Sequence, residues 1–169
     1  MKKYLVLILL VVLLLVGVGV SAEEYQEGAW VVEVTEDPLT DELKLFIANI
    51  KDYSDALLLR YQDNTLELFA GTDYLGTDSD QNFDTVLYRF DKNDIVETYW
   101  SVGMGEEALF FEEDVHTLKE FIQKMMEHDQ LVIAYWPYNE GRKSVVYSLD
   151  GFTAAITPYL EDIGLSELK

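Results

Sequence analysis

Short segments in which apolar and polar residues alternate recur along most of the chain, separated by Asp, Asn and Gly. Alternation with a period of two places the apolar side chains on one face of a β-strand. The pattern predicts nine strands, at 29–35, 43–50, 56–62, 66–70, 85–90, 95–102, 108–111, 131–136 and 144–149. We expect the last two to form a hairpin through a turn at 137–143.

Two segments have the period of an α-helix instead. One apolar stripe contains Val115, Leu118, Phe121, Ile122 and Met125. These side chains recur every three or four residues, and Asp114 precedes them in the position of an N-terminal cap. The second segment, 151–163, is interrupted by Pro158, which predicts a kink or two short helices, and Gly164 is a plausible stop. The predicted fold class is α+β and mostly β, an antiparallel sheet or sandwich of about eight to nine strands with two packed helices.

The first 22 residues have the three parts of a secretory signal peptide. Lys2 and Lys3 are followed by an apolar run over 4–16 and by the small-x-small motif Val20-Ser21-Ala22. We expect cleavage after Ala22 and one extracytoplasmic domain over 23–169, periplasmic or secreted through a Sec-type pathway. The alternative is an uncleaved membrane anchor.

The predicted domain is strongly acidic. The chain has 12 Lys and Arg against 32 Asp and Glu, a formal net charge of −20, and the signal segment contains two of the lysines. Such a field disfavours nucleic acid and anionic lipid surfaces as partners. It attracts cations or a basic partner, or it is simply a solvated surface, and the second interpretation is favoured because an acidic surface needs no ligand.

Candidate metal ligands are few. His116 and His128 would point about 120° apart on or beside one helix, so they do not share an ion. Asp78, Asp80 and Asn82 have the spacing with which a calcium loop begins. Phe83 and Arg89 occupy the positions where that loop needs Gly and Glu, so an acidic turn is the favoured interpretation. We expect no cofactor.

Two arginines lie within predicted strands. Arg60 and Arg89 would need a carboxylate or carbonyl partner if buried. They are candidates for a clamp on a ligand carboxylate. The favoured alternatives are a structural ion pair, with Asp41 or Asp91 for example, or an outward position on a half-exposed strand.

Other chemistry has little support in the sequence. The chain contains no Cys and no G-x-S-x-G motif, so nucleophilic catalysis is not indicated. Thirty-two acids make any one carboxylate pair uninformative about glycoside hydrolysis. Among the aromatic residues, Tyr138 is the best candidate for an exposed binding side chain, because it lies at the tip of the predicted last hairpin.

In order along the chain, several segments resemble the TagO/VasI family of periplasmic accessory proteins of type VI secretion. They are Gly28-Ala29-Trp30, Asp37-Pro38-Leu39-Thr40-Asp41, Leu58-Leu59-Arg60, Val86-Leu87-Tyr88-Arg89-Phe90-Asp91, Trp100-Ser101, Ala108-Leu109-Phe110 and Ser148-Leu149-Asp150-Gly151-Phe152. The family carries a cysteine directly after the strand arginine and another near the C-terminus. Here Tyr61 takes the first place.

The resemblance implies a secreted, non-enzymatic accessory domain that acts on a protein partner in the cell envelope. The alternative is an extracytoplasmic module that binds a cation or a small polar ligand through Asp78, Asp80, Asn82 or the strand arginines. A hydrolase with unrecognised carboxylates ranks third. A membrane contact is expected only through a retained signal segment.

Overall fold

A computed structural model describes residues 22–77, 82–111 and 115–168. The strands are β1 (Ala22–Glu27), β2 (Trp30–Glu36), β3 (Leu43–Ile50), β4 (Ala56–Gln62), β5 (Thr65–Gly71), β6 (Phe83–Phe90), β7 (Val96–Val102), β8 (Ala108–Phe110), β9 (Gln130–Tyr135) and β10 (Lys143–Ser148). The helices are α1 (Val115–Glu127) and α2 (Phe152–Ile156), followed by 3-10 turns at Thr157–Tyr159 and Ser166–Leu168. Within these ranges, each helix is too short or too polar to cross a membrane.

The ten strands of the described residues form one antiparallel sheet, which is open. Its order is β1-β2-β3-β4-β5-β8-β7-β6-β9-β10. The chain therefore runs as a meander to β5, crosses to β6, and returns through β7 and β8 to pair with β5. β1 and β10 are the two edges of the sheet.

The sheet buries one face, which we call the inner face. Side chains that are aligned across neighbouring strands form its centre, for example Val32, Ile47, Leu59 and Leu68 on β2 to β5. Both helices pack on the same face. The Phe121 ring of α1 lies 5.2 Å from Phe90 and 4.9 Å from Phe111, and Trp30 lies 4.8 Å from Phe152 of α2.

The turn between β1 and β2 meets the start of α2 backbone to backbone. The Ala29 amide donates to the Asp150 carbonyl at 3.0 Å. Gly28 and Gly151 both have positive φ, and a Cβ on Gly151 would lie 2.2 Å from the Glu27 carbonyl oxygen. Only glycine allows this approach, because a side chain on either residue would separate the two segments.

The predicted fold class is confirmed: an antiparallel sheet dominates and two helices pack on it. The strand count is ten because β1 was not predicted. β1 is an edge strand with mostly exposed side chains, so its sequence lacks the apolar alternation that identified the others. Pro158 lies in the 3-10 turn that continues α2, as the predicted break in the second helix requires. Residues 1–21 of the predicted signal segment 1–22, and the predicted cap Asp114, lie outside the described residues, and Ala22 is the first residue of β1.

We predict that Gly151→Ala lowers the free energy of unfolding by about 3 kcal/mol, because it adds a steric clash to an unfavourable φ. Gly105→Ala is the matched control: Gly105 also has positive φ, but its Cβ would meet nothing within 4 Å. The control should cost about 1 kcal/mol. Urea denaturation measures both values, and equal losses would contradict the importance of the close backbone contact.

Candidate functional site

Arg60 lies on the outer face of β4 in an ion pair. Its Nε donates to Glu67 Oε2 at 2.7 Å, and its Nη2 lies 2.5 Å from the same oxygen. The guanidinium also lies over the Phe69 ring, 5.2 Å from the centroid. The partner is Glu67, opposite Arg60 on β5, and neither Asp41 nor Asp91. Arg60 therefore has a structural partner and is not poised to clamp a ligand.

Asp91 has a structural role at the end of β6. Its Oδ1 accepts hydrogen bonds from the amides of Gln130 and Asp129, at 2.9 and 3.2 Å, and its Oδ2 lies 2.9 Å from His128 Nδ1. Desolvation acts to raise the pKa of Asp91, but the Gln130 amide and His128 together lower it. The carboxylate thus joins β6 to the start of β9.

Arg89 is exposed on the outer face of β6. It lines a groove of about 410 Å³ together with Arg142 and with aliphatic side chains of β6, β9 and β10. In the described part of the chain, no carboxylate oxygen lies within 4.0 Å of either guanidinium. Of the two candidate arginines, only Arg89 is therefore available to a ligand.

Asp41 lies in the turn between β2 and β3. Its amide donates to the Asp37 carbonyl at 2.8 Å, and the Asp37 carboxylate accepts from the amides of Leu39 and Thr40. The Leu39 amide is the main cause of a lowered pKa of Asp37. Asp41 borders a shallow groove whose acidic residues are Glu23, Glu36, Asp37, Asp41 and Asp162. That groove is far in the sheet order from Arg89.

Tyr138 is 54% exposed in the loop between β9 and β10. Its amide donates to the Tyr74 carbonyl at 2.8 Å, and the two rings meet edge to face at 5.8 Å. Gly76 makes room for the ring, because a Cβ there would lie 2.1 Å from Tyr138 Cδ2. The ring is thus held in place by a neighbouring loop while one side faces solvent.

Of the three candidate calcium ligands, only Asn82 lies within the described residues. Asp78 and Asp80 lie outside the described residues, while Asn82 is exposed and its carbonyl accepts from the Val102 amide at 2.8 Å. Among the described residues, no three His, Asp or Glu side chains are grouped to hold a metal ion. The two histidines lie apart: exposed His116 contacts Glu120, and His128 contacts Asp91. The acidic turn favoured for 78–82 and its alternative, a calcium loop, both stay predictions.

The most polar site inside the fold surrounds Lys143 on β10. Its Nζ lies 2.8 Å from Asp55 Oδ2 and 2.6 Å from Asp73 Oδ2. Tyr135 donates its hydroxyl proton to Asp55 Oδ1 at 2.9 Å, and the Tyr135 hydroxyl oxygen accepts from the Asp73 amide at 3.1 Å. Asp55 is only 4% exposed. We call these four residues the Lys143 cluster.

The protonation states of the Lys143 cluster favour structure over catalysis. Desolvation opposes the charge of Lys143, but the hydrogen bonds to Asp55 and Asp73 outweigh it and raise the pKa of the ammonium. Burial raises the pKa of Tyr135 to about 12, and the bond to Asp55 acts in the same direction. A charged lysine and a neutral phenol are neither a nucleophile nor a base near pH 7.

The outer face of the sheet carries an unexpected row of apolar side chains. In register across β2, β3, β4, β5, β8, β7 and β6 lie Val31, Ala48, Leu58, Phe69, Phe110, Ser101 and Phe83, all of them apolar except Ser101. We call these residues the outer row. Phe69 and Phe110 stack with centroids 4.8 Å apart, and Phe83 is 51% exposed. The outer row does not belong to the core under the helices.

Sequence reasoning missed the outer row and the Lys143 cluster. A two-residue loop, Asp63 and Asn64, both with positive φ, joins β4 to β5. A loop of that kind sets the hairpin register, so it could have predicted that Arg60 faces Glu67. No comparable local signal links Asp55 to Lys143, because they are far apart in the chain and lie beside strands that are not neighbours in the sheet order, β4 and β10.

No protein-family model matches this chain, and no curated protein is significantly similar to it. Among solved structures, the fold is similar to the crystal structure of invasion associated protein B from Bartonella henselae, with a TM-score of 0.58. The sequences are 11% identical, and the match covers 82% of this chain and 95% of that one. At this identity the likeness shows a shared fold and nothing about function.

We predict that Lys143→Met lowers the free energy of unfolding by about 3 kcal/mol, because it leaves the buried Asp55 carboxylate without its cation. Lys124→Met removes the same charge from an exposed position on α1 and should change stability by less than about 0.5 kcal/mol. Urea denaturation at pH 7 tests both variants. A loss at Lys143 no larger than at Lys124 would show that Asp55 does not depend on this cation.

The raised pKa of Tyr135 predicts that the protein loses stability at high pH. Its folded pKa of about 12 lies above the value of about 10 for an unfolded tyrosine. Its contribution is therefore fully present below pH 10 and is lost as the pH rises through 12. Between pH 10 and 12, Tyr135→Phe should lose less stability than the wild type. The control Tyr53→Phe, at a position 98% exposed, should show the same dependence of stability on pH as the wild type. If Tyr135→Phe also showed the wild-type dependence, the Tyr135 hydroxyl would have no such role.

Proposed function

We propose that this chain is an exported, non-enzymatic interaction domain that binds a protein partner in the cell envelope through the outer row. The observation that supports the proposal most directly is the outer row itself. An antiparallel sheet with one face on the core normally presents polar side chains on the other face. Here Leu58, Phe69 and Phe110 are aligned on that face, outside the core.

The electrostatics of the outer row suit a protein partner. Arg60 and Glu67 lie beside it and neutralise each other, and the Arg60 guanidinium covers part of the Phe69 ring. The centre of the surface is therefore apolar and locally uncharged, as in protein–protein interfaces, where charge is depleted at the core. The acidic surroundings would repel acidic partners and so add selectivity.

The resemblance to the TagO/VasI family supports the same proposal from the sequence. Several of its matching segments border the outer row, including Leu58-Leu59-Arg60 on β4 and Ala108-Leu109-Phe110 on β8. That family is an accessory of a secretion apparatus and acts by contact. Export would follow from the signal segment predicted at 1–22, which would deliver the domain to an envelope partner.

The test is site-specific photo-crosslinking in the source cells. A photoreactive residue at Phe110 or Phe83 should crosslink to one envelope protein, whereas the same residue at Tyr53, in the β3–β4 turn and 98% exposed, should not. Phe69→Glu should reduce the crosslink at 110 at least tenfold, because a charge at the centre of an apolar interface is left desolvated.

Met104→Glu is the matched control for added charge, since Met104 is fully exposed on a turn outside the outer row. It should leave the crosslink unchanged. Thermal unfolding of Phe69→Glu must show a folded protein. Crosslinks of equal yield at 53 and 110 would contradict the proposal, and a crosslinked dimer would show that the outer row pairs two copies of this chain.

A further inference from the structure

The groove that contains Arg89 and Arg142 is separate from the outer row. It lies on the outer face of β6, β9 and β10, where two rows of residues are in register: Leu87, Ala134 and Ser144 in one, and Arg89, Val132 and Val146 in the other. Ile95 closes one side. The floor is thus largely aliphatic, and its polar lining residues are Arg89, Arg142, Ser144 and Tyr88. The exposed Glu97 of β7 lies beside it, opposite Leu87. Its volume of about 410 Å³ is within the usual range of ligand sites.

The two arginines of the groove are distinguished by their shared position. Among the described cations, Arg60, Lys119 and Lys143 pair with carboxylates, whereas several lysines, such as Lys124, do not. In the described part of the chain, Arg89 and Arg142 have no carboxylate within 4.0 Å, although they line the same groove. A carboxylate from outside the chain would complement both of them.

The position of β10 indicates the shape of the occupant. β10 is the last strand of the sheet, and its residues 143–147 form backbone hydrogen bonds only with β9 among the described residues. An exposed edge of this kind accepts an extended peptide as an added strand. Alternate side chains of that strand would lie on the outer face beside Arg142, Ser144 and Val146.

The charge of the whole protein limits the number of acids in the occupant. A formal net charge of −20 repels a polyanion at long range, whereas a contact with a guanidinium acts at short range and is screened less. One or two carboxylates, one for each arginine, gain the contact with little repulsion. Aliphatic side chains between them would cover Val132 and Val146.

We propose that this groove binds an extended peptide segment that carries aliphatic side chains and one or two carboxylates, and that the segment adds to the edge of β10. This site does not depend on the proposed function, because none of its residues belongs to the outer row. The two surfaces can therefore be tested separately.

The probe is a capped heptapeptide that alternates valine with polar residues, two of them glutamate, carrying a fluorophore at one end. Fluorescence anisotropy at 0.15 M salt, with protein recovered from its exported form, measures binding. Arg89→Gln and Arg142→Gln should each weaken binding about fivefold, and the double variant more than tenfold. Lys124→Gln removes one charge from an exposed position on α1 and should have no effect.

Two further measurements distinguish the possible outcomes. Amide hydrogen exchange of residues 143–147 should slow when the peptide binds, because an added strand protects the edge. The same peptide with glutamine in place of glutamate should bind at least tenfold more weakly. Equal binding of the glutamine peptide, or no binding of either peptide, would overturn the proposal. So would binding of sodium octanoate without any binding of the peptide, since the occupant would then be a small amphipathic carboxylate.

Discussion

The Lys143 cluster is the interaction on which the shape of the molecule depends. An open sheet of ten strands can bury a core only if its two halves curl over the same helices. Lys143 and Tyr135, on the last two strands, meet Asp55 beside β4 and Asp73 beyond β5. The backbone contact between Gly28 and Gly151 acts at the other end of β10. Because Asp55 is buried, its charge is tolerated only with these partners, so the curvature that brings them together is favoured.

The curvature also determines which surfaces remain for binding. Both helices occupy the inner face, so every strand from β2 to β10 presents its outer face to solvent. The outer row lies over β2 to β8, and the arginine groove lies over β6, β9 and β10, so the two surfaces adjoin along β6. One is apolar and locally neutral, and the other is aliphatic with two guanidiniums. The side chains of both surfaces project from paired strands.

The acidic residues are distributed unevenly relative to the two proposed surfaces. Acids border the two proposed surfaces without filling them: Glu67 is paired with Arg60, Glu97 lies opposite Leu87 beside the arginine groove, and the acidic groove beside Asp41 lies toward the other edge of the sheet. A negative field around two surfaces of different character excludes acidic competitors and leaves short-range contacts to select the partner.

The sequence by itself determined the local structure. Alternation identified nine strands, a period of 3.6 identified α1, and Pro158 placed the break after α2, because each of these depends on residues close together in the chain. It missed β1, where the alternation is polar, and it could not show that β5 pairs with β8 or that Lys143 meets Asp55. The alternation shows which side chains share a face of one strand, but it does not show which other strand pairs with that strand. The Asp63-Asn64 turn could have paired Arg60 with Glu67, because hairpin register is a local property. Only the tertiary structure decided that Arg89 lies in a groove with Arg142, since the strand alongside β6 is chosen by packing between segments far apart in the chain.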